Sequence, residues 1–147
     1  VLVHDMGWIW RNQQCKSLFV CVVPRAKVHY QPNQLLFKQT VRSAIGELNG
    51  FTDGVDAISR HTNTRTTHLP PNTPNYVNDG ALPYPGITAD TCHISNAVRG
   101  REILLIDDIY TKTINIDEDA IQALFDHGAR SVLFYAISKT LQYRNYR

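Results

Sequence analysis

Two adjacent carboxylates, Asp107 and Asp108, follow four apolar residues, Ile103, Leu104, Leu105 and Ile106. A polar turn, Tyr110 to Asn115, then leads into a pattern in which Ile116, Ala120, Ile121, Leu124 and Phe125 recur at helical spacing. An apolar run without alternation suits a strand buried on both faces, as in parallel sheets. Asn115, with Glu118 three residues on, predicts a capped helix start, and Gly128 predicts its end. The acids are therefore expected at the carboxyl end of a central strand. Ligands bind at that edge in open α/β sheets, and a helix N-terminus favours phosphate.

A second concentration of chemistry runs from Arg60 to His68, RHTNTRTTH. Arg60 and Arg65 supply forked donors for phosphate, and His61 and the threonine hydroxyls supply more. The same composition would also suit a solvated polar loop. Two further basic residues, Arg25 and Lys27, follow Pro24 and flank Ala26 at the end of an apolar run. Cys92 and His93 have no partner at metal-ligand spacing and read as packing residues, while His29 and His127 carry no chemical signal.

The elements that must hold these residues follow from periodicity. Ser17 to Pro24, rich in β-branched residues, predicts a buried strand. Phe37, Val41, Ala44, Ile45 and Leu48 share a helical face, with Asn33 or Pro32 to open the helix and Asn49-Gly50 to close it. A short strand is expected at Val55–Ile58 after the Asp53-Gly54 turn, completing a βαβ unit, and a last strand at Ser131–Ile137. Between them lies a long segment, about 59–100, with Pro70, Pro71, Pro74, Pro83 and Pro85 and no periodicity. A connection this long in a small domain is expected to be a flexible lid or binding loop. The order predicts one α/β domain, residues 17–147, with a mostly parallel twisted sheet and helices on both faces. Residues 1–16, with Trp8 and Trp10, read as an N-terminal arm without an assigned element.

Composition sets the bounds. The chain has 147 residues, 43% hydrophobic and 19% charged, with net charge +2. That suits one globular domain with a real core, and the charge is too small to point to nucleic acid. No apolar run approaches the length of a membrane span. Cys15, Cys21 and Cys92 are odd in number and suit reduced thiols in a cytoplasmic setting. The chain begins at Val1 rather than Met, as a piece of a longer protein would.

Ile103–Ile106, Asp107, Asp108, Ile109 and Thr111 resemble the signature of the type I phosphoribosyltransferases, and the Val-Pro-Arg strand end and arginine-rich loop look most like the ComF-like, amidophosphoribosyltransferase-like orphan branch. Lys112, Thr113 and Asn115 stand where that signature has a hydroxyl residue, Gly and Thr. The resemblance covers roughly Ser17 to Ser138 and implies a Rossmann-like fold and a phosphoribosyl pyrophosphate (PRPP) site. It implies that Asp107 and Asp108 hold the ribose hydroxyls and act in catalysis. It implies that Thr111, Lys112, Thr113, Ile114 and Asn115 cradle the 5′-phosphate, and that Arg25, Ala26 and Lys27 bind pyrophosphate. Arg60, His61 and Arg65 would belong to a closing lid, and Mg²⁺ would arrive with PRPP, held mainly by the substrate. The activity implied is transfer of the 5-phosphoribosyl group to a nitrogen nucleophile. Two other readings stay open: a PRPP- or nucleotide-sensing regulatory module, and a competence or defence accessory touching nucleic acid through the basic tail Lys139–Arg147. The partners expected are PRPP or a nucleotide, with a homodimer left open and neither nucleic acid nor membrane expected.

Overall fold

The computed structural model describes all residues except Cys15, 67–72, 82–85, Thr113 and 141–147. Four strands form one parallel sheet: β1 (Leu18–Val22), β2 (Phe51–Asp53), β5 (Glu102–Tyr110) and β6 (Ser131–Lys139), in the order β2-β1-β5-β6. A two-stranded antiparallel ribbon, β3 (Ile58–Arg60) with β4 (Cys92–Ile94), stands beside it, pairing Ile58 with Ile94 and Arg60 with Cys92. Among the described residues, three α-helices complete the fold: α1 (Leu2–Asn12), α2 (Leu36–Glu47) and α3 (Ile116–Asp126). No helix among the described residues is long and apolar enough to cross a membrane.

Alternation along β1 and β5 builds two cores. Phe19, Cys21, Val23, Ile103 and Leu105 face α3 and the ribbon, packing with Ile58, Ile94, Ala120 and Leu124. Leu18, Val20, Val22, Leu104 and Ile106 face α1 and α2, packing with Leu2, Met6, Val41 and Ala44. The run Ile103–Ile106 is wholly buried because the sheet is covered on both sides. Each such side chain contributes about 1.5–3 kcal/mol of burial, so β5 is anchored firmly just before the two aspartates.

Several expectations are displaced. The strand predicted at Val55–Ile58 lies instead at Phe51–Asp53, where Leu18 pairs with Phe51. Gly50 adopts φ +86 to turn the chain straight into it, and β2 stops at Gly54, where a Cβ would meet the Phe19 ring at 2.4 Å. Val55, Ala57 and Ile58 are buried because this stretch covers the sheet, not because it belongs to it. Residues 1–16, read as an arm, contain α1, whose Leu2 and Met6 are buried against the sheet and whose Asp5 accepts a 2.6 Å hydrogen bond from the Tyr135 hydroxyl. The segment 59–100 is not without structure: it completes β3 and holds β4 and the 3₁₀ turn Asn96–Val98. On α3 the buried face is Asp117, Ala120, Ala123 and Leu124, and Phe125 is exposed.

Candidate active site

β1, α2 and β2 wind one way across the sheet, and β5, α3 and β6 wind the other. The neighbours β1 and β5 therefore mark the reversal of strand order. A crevice forms at the carboxyl ends of strands at such a point. Here it is a cavity of about 360 Å³. Its walls include the loop after β1 (Pro24, Arg25, Ala26, Lys27), the acids Asp107 and Asp108, and Arg60 and Arg65 from the long segment.

The acids lie inside β5 rather than beyond it, because β6 continues beside them as far as Lys139 opposite Tyr110. Successive strand residues point to opposite faces, so the two acids have different surroundings. Asp108 is half exposed and sits 3.9 Å from the Arg25 guanidinium. Asp107 is more enclosed, accepts the Asp108 backbone N–H at 2.8 Å and is hydrogen-bonded to Asp117 in the first turn of α3. Burial, then the bond to and charge of Asp117, then the charge of Asp108, push the Asp107 carboxyl well above the ordinary carboxylate range. Asp107 therefore holds a proton near neutrality and shares it with Asp117. With that proton held between the two carboxyls, Asp107 can offer a ligand hydroxyl an acceptor oxygen.

Opposite the acids, the cations differ in how they are held. Arg60, expected in a lid, is in β3, lines the cavity and is only 8% exposed. Its Nε donates to the Arg25 carbonyl at 2.6 Å and its Nη1 to the Gly86 carbonyl at 3.1 Å. Arg65 donates from Nε to the Gly80 carbonyl at 3.1 Å. Lys27, expected to hold pyrophosphate, donates instead to the Asp79 carboxylate at 2.8 Å, the Asp79 carbonyl at 2.6 Å and the Thr64 carbonyl at 3.0 Å. It clasps a strap in which 62–66 runs against 76–81, with Thr64 bridged to Ala81 and Thr66 bonded to Asn78. Gly80, at φ +98, lets this strap close: a Cβ there would stand 2.4 Å from the Asn63 carbonyl oxygen.

His61 turns out of the site, one ring nitrogen 2.9 Å from the Thr62 hydroxyl and the other 3.0 Å from the Ala89 carbonyl. Among the described residues, the turn expected to cradle phosphate is absent from the cavity wall, although Ile116 just past the turn belongs to that wall. Thr111, Lys112, Ile114 and Asn115 lie beyond it, and Thr113 is outside the described residues. Asn115 does start α3, but at φ 56 and without a side-chain cap, while Glu118 accepts the Tyr110 hydroxyl at 2.9 Å instead of closing a capping box. With Asn115 in the left-handed region no side-chain cap hydrogen bond forms, so the spacing alone misled. Most of the basic tail, 141–147, also falls outside the described residues. The cavity further includes Tyr30, Phe37, Lys38 and Tyr76, none of which the sequence singled out as site residues. Tyr30 accepts the Arg25 backbone N–H at 2.9 Å, and Lys38 lies over its ring. Asp117 was missed too. Its only signal was an acid in the first helical turn, which normally reads as a dipole-favoured surface residue.

No protein-family model matches the chain, and no curated protein matches it. One solved structure, described as that of "the allosteric regulatory enzyme of purine biosynthesis", is similar over 86% of this chain at 15% sequence identity and a TM-score of 0.44. The likeness covers 23% of that enzyme's chain, so this chain spans about a quarter of its length.

Proposed function

We propose that the chain is a phosphoribosyltransferase of the type I kind, ComF-like in its strand-end and arginine pattern, using PRPP with Mg²⁺. One observation carries the reading: a single cavity, at the strand-order reversal, sets Arg25, Arg60 and Arg65 against Asp107 and Asp108. A ligand with sugar hydroxyls at one end and a polyphosphate at the other matches that polarity. In the reaction a nitrogen lone pair forms the new bond to C1 as the C1–O bond to pyrophosphate breaks. The electron pair leaves with pyrophosphate, and the nitrogen's proton passes to solvent. The sugar becomes cationic on the way, so positioning and charge lower the barrier more than covalent chemistry does. Asp108 would face the growing positive charge, and the protonated Asp107 would orient a ribose hydroxyl.

The residues present are compatible with a Mg²⁺ ion that arrives on the substrate. Asp108 offers one half-exposed carboxylate. Among the described residues no group of three or more His, Cys, Asp or Glu could hold a metal by itself. Mg²⁺ often keeps water and substrate phosphates as most of its shell, where it would neutralise the leaving pyrophosphate. A cytoplasmic setting, in which the buried free thiols Cys21 and Cys92 stay reduced, belongs to the same proposal.

Incubation with PRPP·Mg²⁺ and a panel of nitrogen acceptors, with pyrophosphate measured, tests it. Acceptor-dependent release is expected. Absence of PRPP binding by calorimetry would defeat the reading. A second reading, a PRPP- or nucleotide-sensing module, is favoured by Lys27 being tied to Asp79 and by Thr111, Lys112, Ile114 and Asn115 lying off the cavity wall. Tight binding without release for any acceptor is its signature.

A further inference from the structure

The parallel sheet has two edges, and they are finished differently. An edge strand offers a row of unpaired N–H and C=O groups, which proteins blunt with short strands, charges or bulges. β2 follows that rule: it is three residues long and ends at Asp53, which pairs with Arg42. β6 does not. It runs nine residues, stands last in the strand order and carries no charge before Lys139. Among the described residues nothing pairs with its outer side. The groups that face outward follow from the ladder to β5. The Thr140 N–H donates to the Tyr110 carbonyl at 3.0 Å, so alternate residues back along β6 bond inward as well. Leu133, Tyr135 and Ile137 therefore direct their backbone groups away from the sheet.

The side chains along this edge are left half-finished in the same way. Val132 and Phe134 pack toward α3, and Leu133 and Tyr135 toward α1 and α2, all only half-buried, while Ile137 is 43% exposed. One strand further in, Ile103–Ile106 are wholly buried. A strand apolar on both faces needs a neighbour that is apolar on both faces, and β6 is itself such a strand. Antiparallel pairing with its own copy, centred on the outward-facing Tyr135, overlaps the whole strand. It sets Leu133 opposite the partner's Ile137, Phe134 opposite the partner's Ala136, and Ser131 opposite the partner's Lys139. Apolar cross-strand pairs of this kind are stabilising, and no like charges meet. The small Ala136 also borders an open hollow with Ile121, Phe134 and Ile137, which leaves room for the facing phenyl ring.

We infer that β6 is a dimer edge, on which two copies of this chain pair antiparallel about Tyr135 and join their four-stranded sheets into one. Such a contact is its own complement and closes on a two-fold axis, so assembly stops at two copies. The inference is independent of what the cavity binds.

Sedimentation equilibrium of the whole chain tests it, together with amide hydrogen exchange at several chain concentrations. A dimer is expected, and the Leu133, Tyr135 and Ile137 amides should exchange more slowly as concentration rises. Ile137→Lys should weaken dimerisation by about 100-fold or more, because each interface then buries two unpaired ammonium groups. If Ile137→Lys does not fold, the exchange series on the wild-type chain decides alone. A monomer at millimolar concentration, an assembly larger than a dimer, or unaltered dimerisation in folded Ile137→Lys overturns the inference. So does a dimer in which these three amides exchange freely, since the copies then meet elsewhere. Slow exchange at every concentration also overturns it, because another segment of the same chain then covers the edge.

Discussion

The arginine wall and the acid edge face each other across one cavity but are built by opposite means. The acids are neighbours in sequence, carried on a strand whose preceding four residues are wholly buried. Their charge is then moderated, because Asp107 shares a proton with Asp117. The arginines come from three places, the loop after β1, the ribbon and the strap. Those of the ribbon and strap are aimed by backbone carbonyls: Arg25 and Gly86 for Arg60, Gly80 for Arg65. Carbonyls orient a guanidinium without neutralising it. One side of the cavity thus lowers its own charge, and the other keeps it available for a ligand.

Removing the acid edge altogether should give the largest effect. Asp107→Asn with Asp108→Asn is expected to weaken PRPP or a ribonucleoside 5′-monophosphate by roughly 100-fold or more, since two polar contacts go at once. The fold should persist because neither side chain belongs to the core. Undiminished affinity by calorimetry in a folded double variant would leave the arginines as the only functional side.

The proton on Asp107 sharpens the contrast through stability. Its folded-state pKa is raised, so the contribution is fully present below the ordinary value of 3.8 and is lost as pH rises toward the folded value. The wild-type chain should therefore lose stability from this group between about pH 5 and 8, by at most about 1.4 kcal/mol per pH unit. Asp107→Asn should flatten that slope and raise the melting temperature at the alkaline end. Parallel melting-temperature profiles for the two chains would mean that Asp107 carries no extra proton.

The smallest effect is expected on the other side. Lys27→Met removes the clasp but leaves Arg60 on its carbonyls, so hydrogen exchange at the Thr64 and Arg65 amides, bonded to Ala26 and Ala81, should quicken. Pyrophosphate affinity should fall less than in Arg60→Met. If Lys27→Met costs more affinity than Arg60→Met, the lysine binds the anion and the wall has been divided wrongly.

Much of the scaffold was legible in local sequence. The runs at Ser17–Pro24, Ile103–Ile106 and Ser131–Ile137 became β1, β5 and β6, and the Phe37–Leu48 face became α2. Such patterns are readable because a strand buried on two faces, or a helix on one, stamps its period on neighbouring residues. The period also hid in α1, where Leu2, Met6 and Ile9 keep helical spacing among two tryptophans and a glycine. It failed for β2, whose three residues are too few to show any period.

Local spacing is enough to write down the parallel sheet, its two covered faces and the acid pair near the carboxyl end of β5. Which charges in the cavity are satisfied is settled by packing. Whether Arg60 meets a carboxylate, whether Lys27 is tied to Asp79, and whether Asp107 finds Asp117 depend on groups brought together from distant parts of the chain. Element type follows from local spacing, whereas the state of a charge follows from its dielectric surroundings and partners, which exist only once the chain has packed.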